Sequence, residues 1–179
     1  MLLVASLLLK ALAIPLLARI AWLDFTTQKI SNSNVLLLLS MGAGSLLLLA
    51  LPSDSWWDMG LSALAGLLLF VVFFPFWILR KVGAGDVKLM AVIPFLVGGS
   101  GLVVFSLLLM VFAVAMAVVV KNPFLLPAGA FRLYVQHMDR KGVVPFGVPI
   151  SAAAVGAIAF QTYGGLVMAS SSGVLQQLN

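Results

Sequence analysis

The chain has 179 residues, 63% hydrophobic and 8% charged, with ten Lys and Arg against five Asp, no Glu, no Cys and a single His. Soluble domains carry about a quarter charged residues, so this is an all-α polytopic membrane protein, one transmembrane domain over 1–179 with no room for a second. Disulfides, thiolate metal sites, a cysteine nucleophile and a multi-histidine metal centre are excluded, and the net charge of +5, spread between apolar runs, reads as membrane topology rather than as a nucleic-acid footprint.

A spanning helix needs about 20 apolar residues. The first run, Leu3 to Leu23, lacks a positive n-region and a cleavage site before Asp24, so it reads as a retained helix and not a signal peptide. Lys10 and Arg19 inside it need snorkelling or a polar cavity, and Pro15 introduces a kink. The second run, Val35 to Leu51, leads into the polar turn Pro52-Ser53-Asp54-Ser55 and an interfacial anchor, Trp56-Trp57. The third, Met59 to Leu79, ends on Arg80-Lys81; the fourth, Val82 to Val97, is short and closes at Gly98-Gly99-Ser100-Gly101. A fifth, Leu102 to Val120, precedes the long connection Lys121 to Gly142, and a sixth, Val148 to Met168, precedes an uncharged tail. Within the long connection, Ala128, Phe131, Val135 and Met138 recur at helical spacing, with Arg132, Gln136 and Asp139 on other faces. That pattern predicts a helix in the cytoplasmic interface, with His137 on it. The expected fold is six transmembrane helices, the fourth short, plus this interfacial helix. Glycines 42, 44, 60, 66, 98, 99 and 101 are read as close helix packing or tight turns.

Connections one, three and five hold Lys29, then Arg80 and Lys81, then Lys121, Arg132, Arg140 and Lys141; connections two and four hold no basic residue. The positive-inside rule puts the odd connections in the cytoplasm of a cell-membrane protein and both termini outside. Asp24 then ends the first helix at the cytoplasmic side, and Asp86 opens the fourth at that same side. The short fourth run draws Asp86 about a turn below the headgroups, where an ionisable group is by default a functional candidate.

Two carboxyls a few ångströms apart do not both ionise cheaply, so one retains a proton. The anion can take a proton from water as it attacks an amide carbonyl, while the neutral acid donates to the oxyanion and the leaving nitrogen. Neither step needs a metal or other cofactor. Gly83 and Gly85 fit, since glycine permits unusual backbone angles and close approach of an extended substrate.

Asp24 followed by Ile30-Ser31-Asn32, the segment Gly83-Ala84-Gly85-Asp86-Val87-Lys88, and Val144-Pro145-Phe146-Gly147 together resemble the type IV prepilin peptidases, membrane aspartic proteases of the GxGD type. The first motif of that family is an Asp followed six residues later by Ile-Pro-Asn, with Ser31 here in place of the proline. The second, GxGDxK, is matched in full, and the third is a late Pro-Phe-Gly or Pro-Tyr-Gly segment. The resemblance implies that Asp24 and Asp86 are the catalytic pair. It also implies that the substrate is a pilin or pseudopilin precursor, cut on the cytoplasmic side between a short basic leader and its hydrophobic helix. Larger members have a cysteine-bearing cytoplasmic insertion and also methylate the new N-terminus; this chain has neither cysteine nor insertion, so peptidase activity alone is expected. The minimal form resembles tight-adherence pilus peptidases, with archaeal preflagellin peptidases as the alternative.

Blander readings exist for each residue. Asp24 could be a solvated helix-end acid beside ordinary loop residues Thr26, Thr27 and Gln28, and Asp86 an N-cap. Lys88, two residues beyond Asp86 and so pointing away from it on a helix, is a positive-inside anchor or a substrate contact. Asp54 and Asp58 lie on the external side. Two further alternatives are a presenilin-like or signal-peptide-peptidase-like GxGD protease, and a small transporter or channel in which the two acids carry ions or protons. With so few acids to receive a basic leader, anionic lipid headgroups are expected to attract it. The oligomeric state is left open.

Overall fold

Long apolar stretches satisfy their backbone polar groups internally as helices. The computed structural model describes residues 2–53, 56–80, 82–127, 129–141 and 144–177, with side chains described for these except 53, 130, 131, 139–141 and 165–177. Every regular element among the described residues is helical: α1 (Leu2–Thr27), α2 (Asn32–Ser53), α3 (Trp57–Ile78), α4 (Ala84–Lys121), a 3-10 turn (Pro123–Leu125), α5 (Ala130–Lys141) and α6 (Gly147–Gln177). Asp54, Lys81 and Ala128, and the side chains of Phe131, Asp139, Arg140 and Lys141, lie outside the described residues. Leu2–Thr27, Asn32–Pro52, Trp57–Ile78 and Ala84–Lys121 are long and apolar enough to cross a membrane. Leu64, Leu67, Leu68 and Val71 of α3 stay exposed on one outward surface, which suits hydrocarbon and not water.

At the centre of the bundle, α4 packs against α2, α3 and α6, while α1 packs against α2 and α6. Leu17, Ile20, Leu38, Leu89, Ile93, Leu96 and Ala154 are fully buried where these helices meet. Gly42 brings α2 onto α4, since a Cβ there would lie 2.8 Å from the Leu96 nitrogen, and Gly66 likewise faces the Ala91 carbonyl. Gly44 makes only ordinary contact with Leu9 and Gly60 meets no atom within 4 Å, so the packing reading fails for those two.

Gly98 breaks α4, with φ 70° and ψ 169°, a left-handed conformation that glycine adopts without a Cβ penalty. The broken turn is closed from α6. Gln161 Nε2 donates to the Val97 carbonyl at 2.7 Å and to Ser100 Oγ at 3.2 Å, and Lys10 Nζ donates to Gln161 Oε1 at 3.3 Å. Lys10, the misplaced charge of the first run, thus has a polar partner inside the bundle, whereas Arg19 is exposed. Before the break α4 runs parallel to α6, from the cavity that Asp86 shares with Phe146 up to Gln161. After it Gly101 faces Gln161 and Leu108 faces Gly156, so the second arm runs back down α6. The turn expected over 98–101 is therefore present as a break at Gly98, where two helical arms of α4 meet and the chain reverses direction.

Several boundaries differ from the sequence reading, among them that of α2, which starts at Asn32 and takes in Pro52 and Ser53. The first helix continues past Leu23 to Thr27, with the Thr26 and Thr27 hydroxyls donating back to the Trp22 and Leu23 carbonyls rather than lying in a loop. The helix expected in the long connection is Ala130–Lys141, and the last helix runs to Gln177, since no proline interrupts the stretch read as a tail. On α5, Val135 and Met138 are buried and His137 is exposed, as an amphipathic helix requires. Tyr134 pins α5 to the end of α1: its hydroxyl donates to the Phe25 and Thr26 carbonyls at 2.6 and 3.2 Å, and its ring lies 5.3 Å from that of Phe25.

Candidate active site

Asp24 sits in the last turn of α1 and is 5% exposed. Its Oδ2 accepts the backbone N–H of Gly147, the first residue of α6, at 2.7 Å, with the Val148 N–H also directed at the carboxyl. The N–H groups at a helix start have no partner within the helix, so α6 begins by binding the acid of α1. Only glycine fits there: a Cβ on Gly147 would lie 2.8 Å from Asp24 Cγ. The late Pro-Phe-Gly segment thus acquires a physical reason.

Asp86 is the third residue of α4 and is 8% exposed. The residue capping this helix is Gly83, in extended conformation, so Asp86 is not the N-cap; instead its carboxyl reaches back to accept the Gly83 N–H, half of a capping box. Its Oδ1 is buried without a hydrogen-bond partner among the described residues, which is rare enough in folded proteins to call for a reason. The two motif glycines serve close approach rather than unusual angles, since Gly83 has φ −67°. A Cβ on Gly83 would lie 3.0 Å from Asp86 Oδ2, and one on Gly85 would lie 2.8 Å from Ile30 Cβ, so each glycine leaves room for a neighbouring side chain of the protein.

The two acid-bearing motifs are fastened to each other. Ile30 lies on Gly85, and Lys88 Nζ donates to Asn32 Oδ1 at 2.9 Å, joining α4 to the first residue of α2. Lys88 does point away from Asp86, as its spacing requires, and what it meets is Asn32. Ser31 caps α2, its Oγ accepting the Ser33 N–H at 3.2 Å, so serine here starts the helix by hydrogen bonding where a proline would start it by fixing φ.

Asp24 and Asp86 interact electrostatically and together line a cavity of about 460 Å³ with Gln28, Trp77, Arg80 and Phe146 among its other walls. A second cavity, of about 600 Å³, adjoins it and shares Asp24, Gln28, Gly83, Ala84 and Asp86. Two acids that line both cavities can hold water against an extended chain. Residues 11–119 match the profile of the type IV leader peptidase family. The chain belongs to this family. No curated protein and no solved structure matches it. The matched segment contains both acids of this leader-peptidase-family protein and both motifs around them, whereas the Gly147 contact lies beyond it and is a finding of the structure.

Sequence reasoning missed Gln28, Ile30, Asn32 and Gly147 as parts of this site, and Tyr134 as the residue that ties α5 to the end of α1. Three of these stood inside quoted motifs, but only their contacts across the bundle disclose what they do. Nothing in the sequence marked Tyr134. Asp58 stands beside Gly99 at the far end of the bundle, away from the two acids.

Proposed function

We propose that this membrane peptidase is an aspartic endopeptidase that removes the short basic leader from type IV prepilin-like precursors, with Asp24 and Asp86 as the catalytic pair. One observation carries the reading: two buried carboxyls from helices distant in sequence line one cavity. One acid serves as base toward a water attacking the scissile carbonyl; the other donates to the oxyanion and then to the leaving nitrogen. Gly83, Gly85 and Gly147 keep the carboxyls at their stations, and Lys88 braces the two motifs from outside.

Counting both arms of α4 and adding α6 brings the spans to six, within a single domain over 1–179. Lys29, Arg80 and Lys88 lie at the end of the bundle that holds the acids, which supports a cytoplasmic site and external termini by the positive-inside rule. Leader removal proceeds without methylation of the new N-terminus, and anionic headgroups hold the basic leader; cleavage at equal rates in neutral and anionic liposomes would remove the lipid from this account. The main test is co-expression with a prepilin-like precursor. Processing by the unsubstituted chain and none by inserted Asp24→Asn or Asp86→Asn variants supports the reading, whereas ion flux without cleavage would replace it with a transporter.

A further inference from the structure

Two non-glycine residues have positive φ among the described residues, Gln28 at 55° and Arg80 at 57°. Gln28 stands just past the end of α1, its N–H donating to the Asp24 carbonyl at 3.0 Å, a left-handed station that glycine ordinarily fills. Any side chain there strains the backbone, and strained residues gather at functional sites. Gln28 is exposed, and among the described residues its side-chain amide holds no hydrogen bond that would compensate the fold. Yet that residue lines both cavities, each of which Asp24 and Asp86 also line. Arg80 lines only the first and carries a charge that a basic leader would meet unfavourably.

An amide on a residue that walls both cavities is within reach of what they hold. Its one acceptor and two donors match the C=O and N–H that every residue of an extended peptide presents. Being neutral, it neither attracts nor repels a basic leader. We propose that Gln28 is a substrate-positioning residue, its side-chain amide bonding the precursor's backbone beside the scissile peptide and so aligning that bond with the two carboxyls. This rests on the aspartic-peptidase reading above.

The test uses the full chain in detergent micelles and a precursor with a short basic leader ahead of its hydrophobic helix. Gln28→Gly removes the amide while relieving the backbone, so the variant should melt no lower than the unsubstituted chain, yet its kcat/KM should fall roughly tenfold. Gln28→Asn keeps an amide and tolerates the left-handed station, and should recover part of the loss. A Gln28→Gly variant that cleaves at the unsubstituted rate would overturn the assignment and leave the aspartic reading standing. One that is slow and also melts lower would overturn it too, by making Gln28 a residue of the fold. If the unsubstituted chain fails to cleave, both readings fall.

Discussion

Two ends of the same bundle place polar side chains inside apolar surroundings, and they do so differently. At the Gly98 kink, Lys10, Gln161, Ser100 and the Val97 carbonyl are joined to one another in a closed set spanning α1, α4 and α6. At the other end Asp24 is held by α6, but Asp86 keeps one buried oxygen without a partner, and a cavity lies beside it. Polarity within a membrane bundle is therefore not enough to mark a site. The first set mends a broken helix; the second retains capacity for a molecule that is not part of the fold.

Removing one acid should sharpen this contrast most. Asp24→Asn or Asp86→Asn is expected to reduce precursor cleavage by about 10³-fold or more, the scale of losing an acid-base group, with the folded fraction unchanged in detergent. Measurable cleavage by the double Asn variant would dissolve the distinction between the two ends. Next in size is Gly147→Ala. Its methyl would enter the space of the Asp24 carboxyl, and a displacement of about 1 Å can cost roughly 10²-fold in kcat/KM. Gly60→Ala, introduced where nothing lies within 4 Å, is the control and should cleave normally.

The kink end should respond in the opposite currency. Gln161→Leu leaves the Val97 carbonyl and Lys10 without their partner, and is expected to lower stability by about 1–3 kcal/mol, read as a lower unfolding midpoint in detergent. Cleavage per folded molecule should stay the same. A loss of activity at unchanged stability would break the comparison, since it would show that the kink sets the position of Asp86.

Helix parity put Asp24 and Asp86 at one membrane level before any coordinates, the GxGDxK spacing singled out Asp86 and the Ile30-Ser31-Asn32 motif Asp24, and one cavity is lined by both. The helices were legible too, from apolar runs of spanning length. Angles and partners were not. Gly98-Gly99-Ser100-Gly101 has the composition of a turn and the chain reverses there, but nothing in that composition names the group that satisfies the opened carbonyl, which is Gln161 from 64 residues away. Gly83 and Gly85 were expected to provide unusual angles and substrate clearance; what demands them is the carboxyl of Asp86 and the side chain of Ile30. Gln28 read as loop because its φ follows from the way the chain leaves α1, which no residue type announces. Gly147 makes sense only once a carboxyl 123 residues earlier lies against its nitrogen.

The smallest expected effect probes the seam between the motifs. Lys88 and Asn32 share one hydrogen bond of 2.9 Å at an exposed position, so Lys88→Met or Asn32→Ala alone should each lower stability by about 0.5–1.5 kcal/mol. If the bond is what joins them, the double variant should lose less than the sum, with a coupling of about 0.5 kcal/mol or more in denaturant titrations. Because Ile30 packed on Gly85 also holds the two motifs together, cleavage should fall only severalfold. Strict additivity would make Lys88 a separate anchor, and a loss as large as that of Asp86→Asn would move it from the brace into the chemistry.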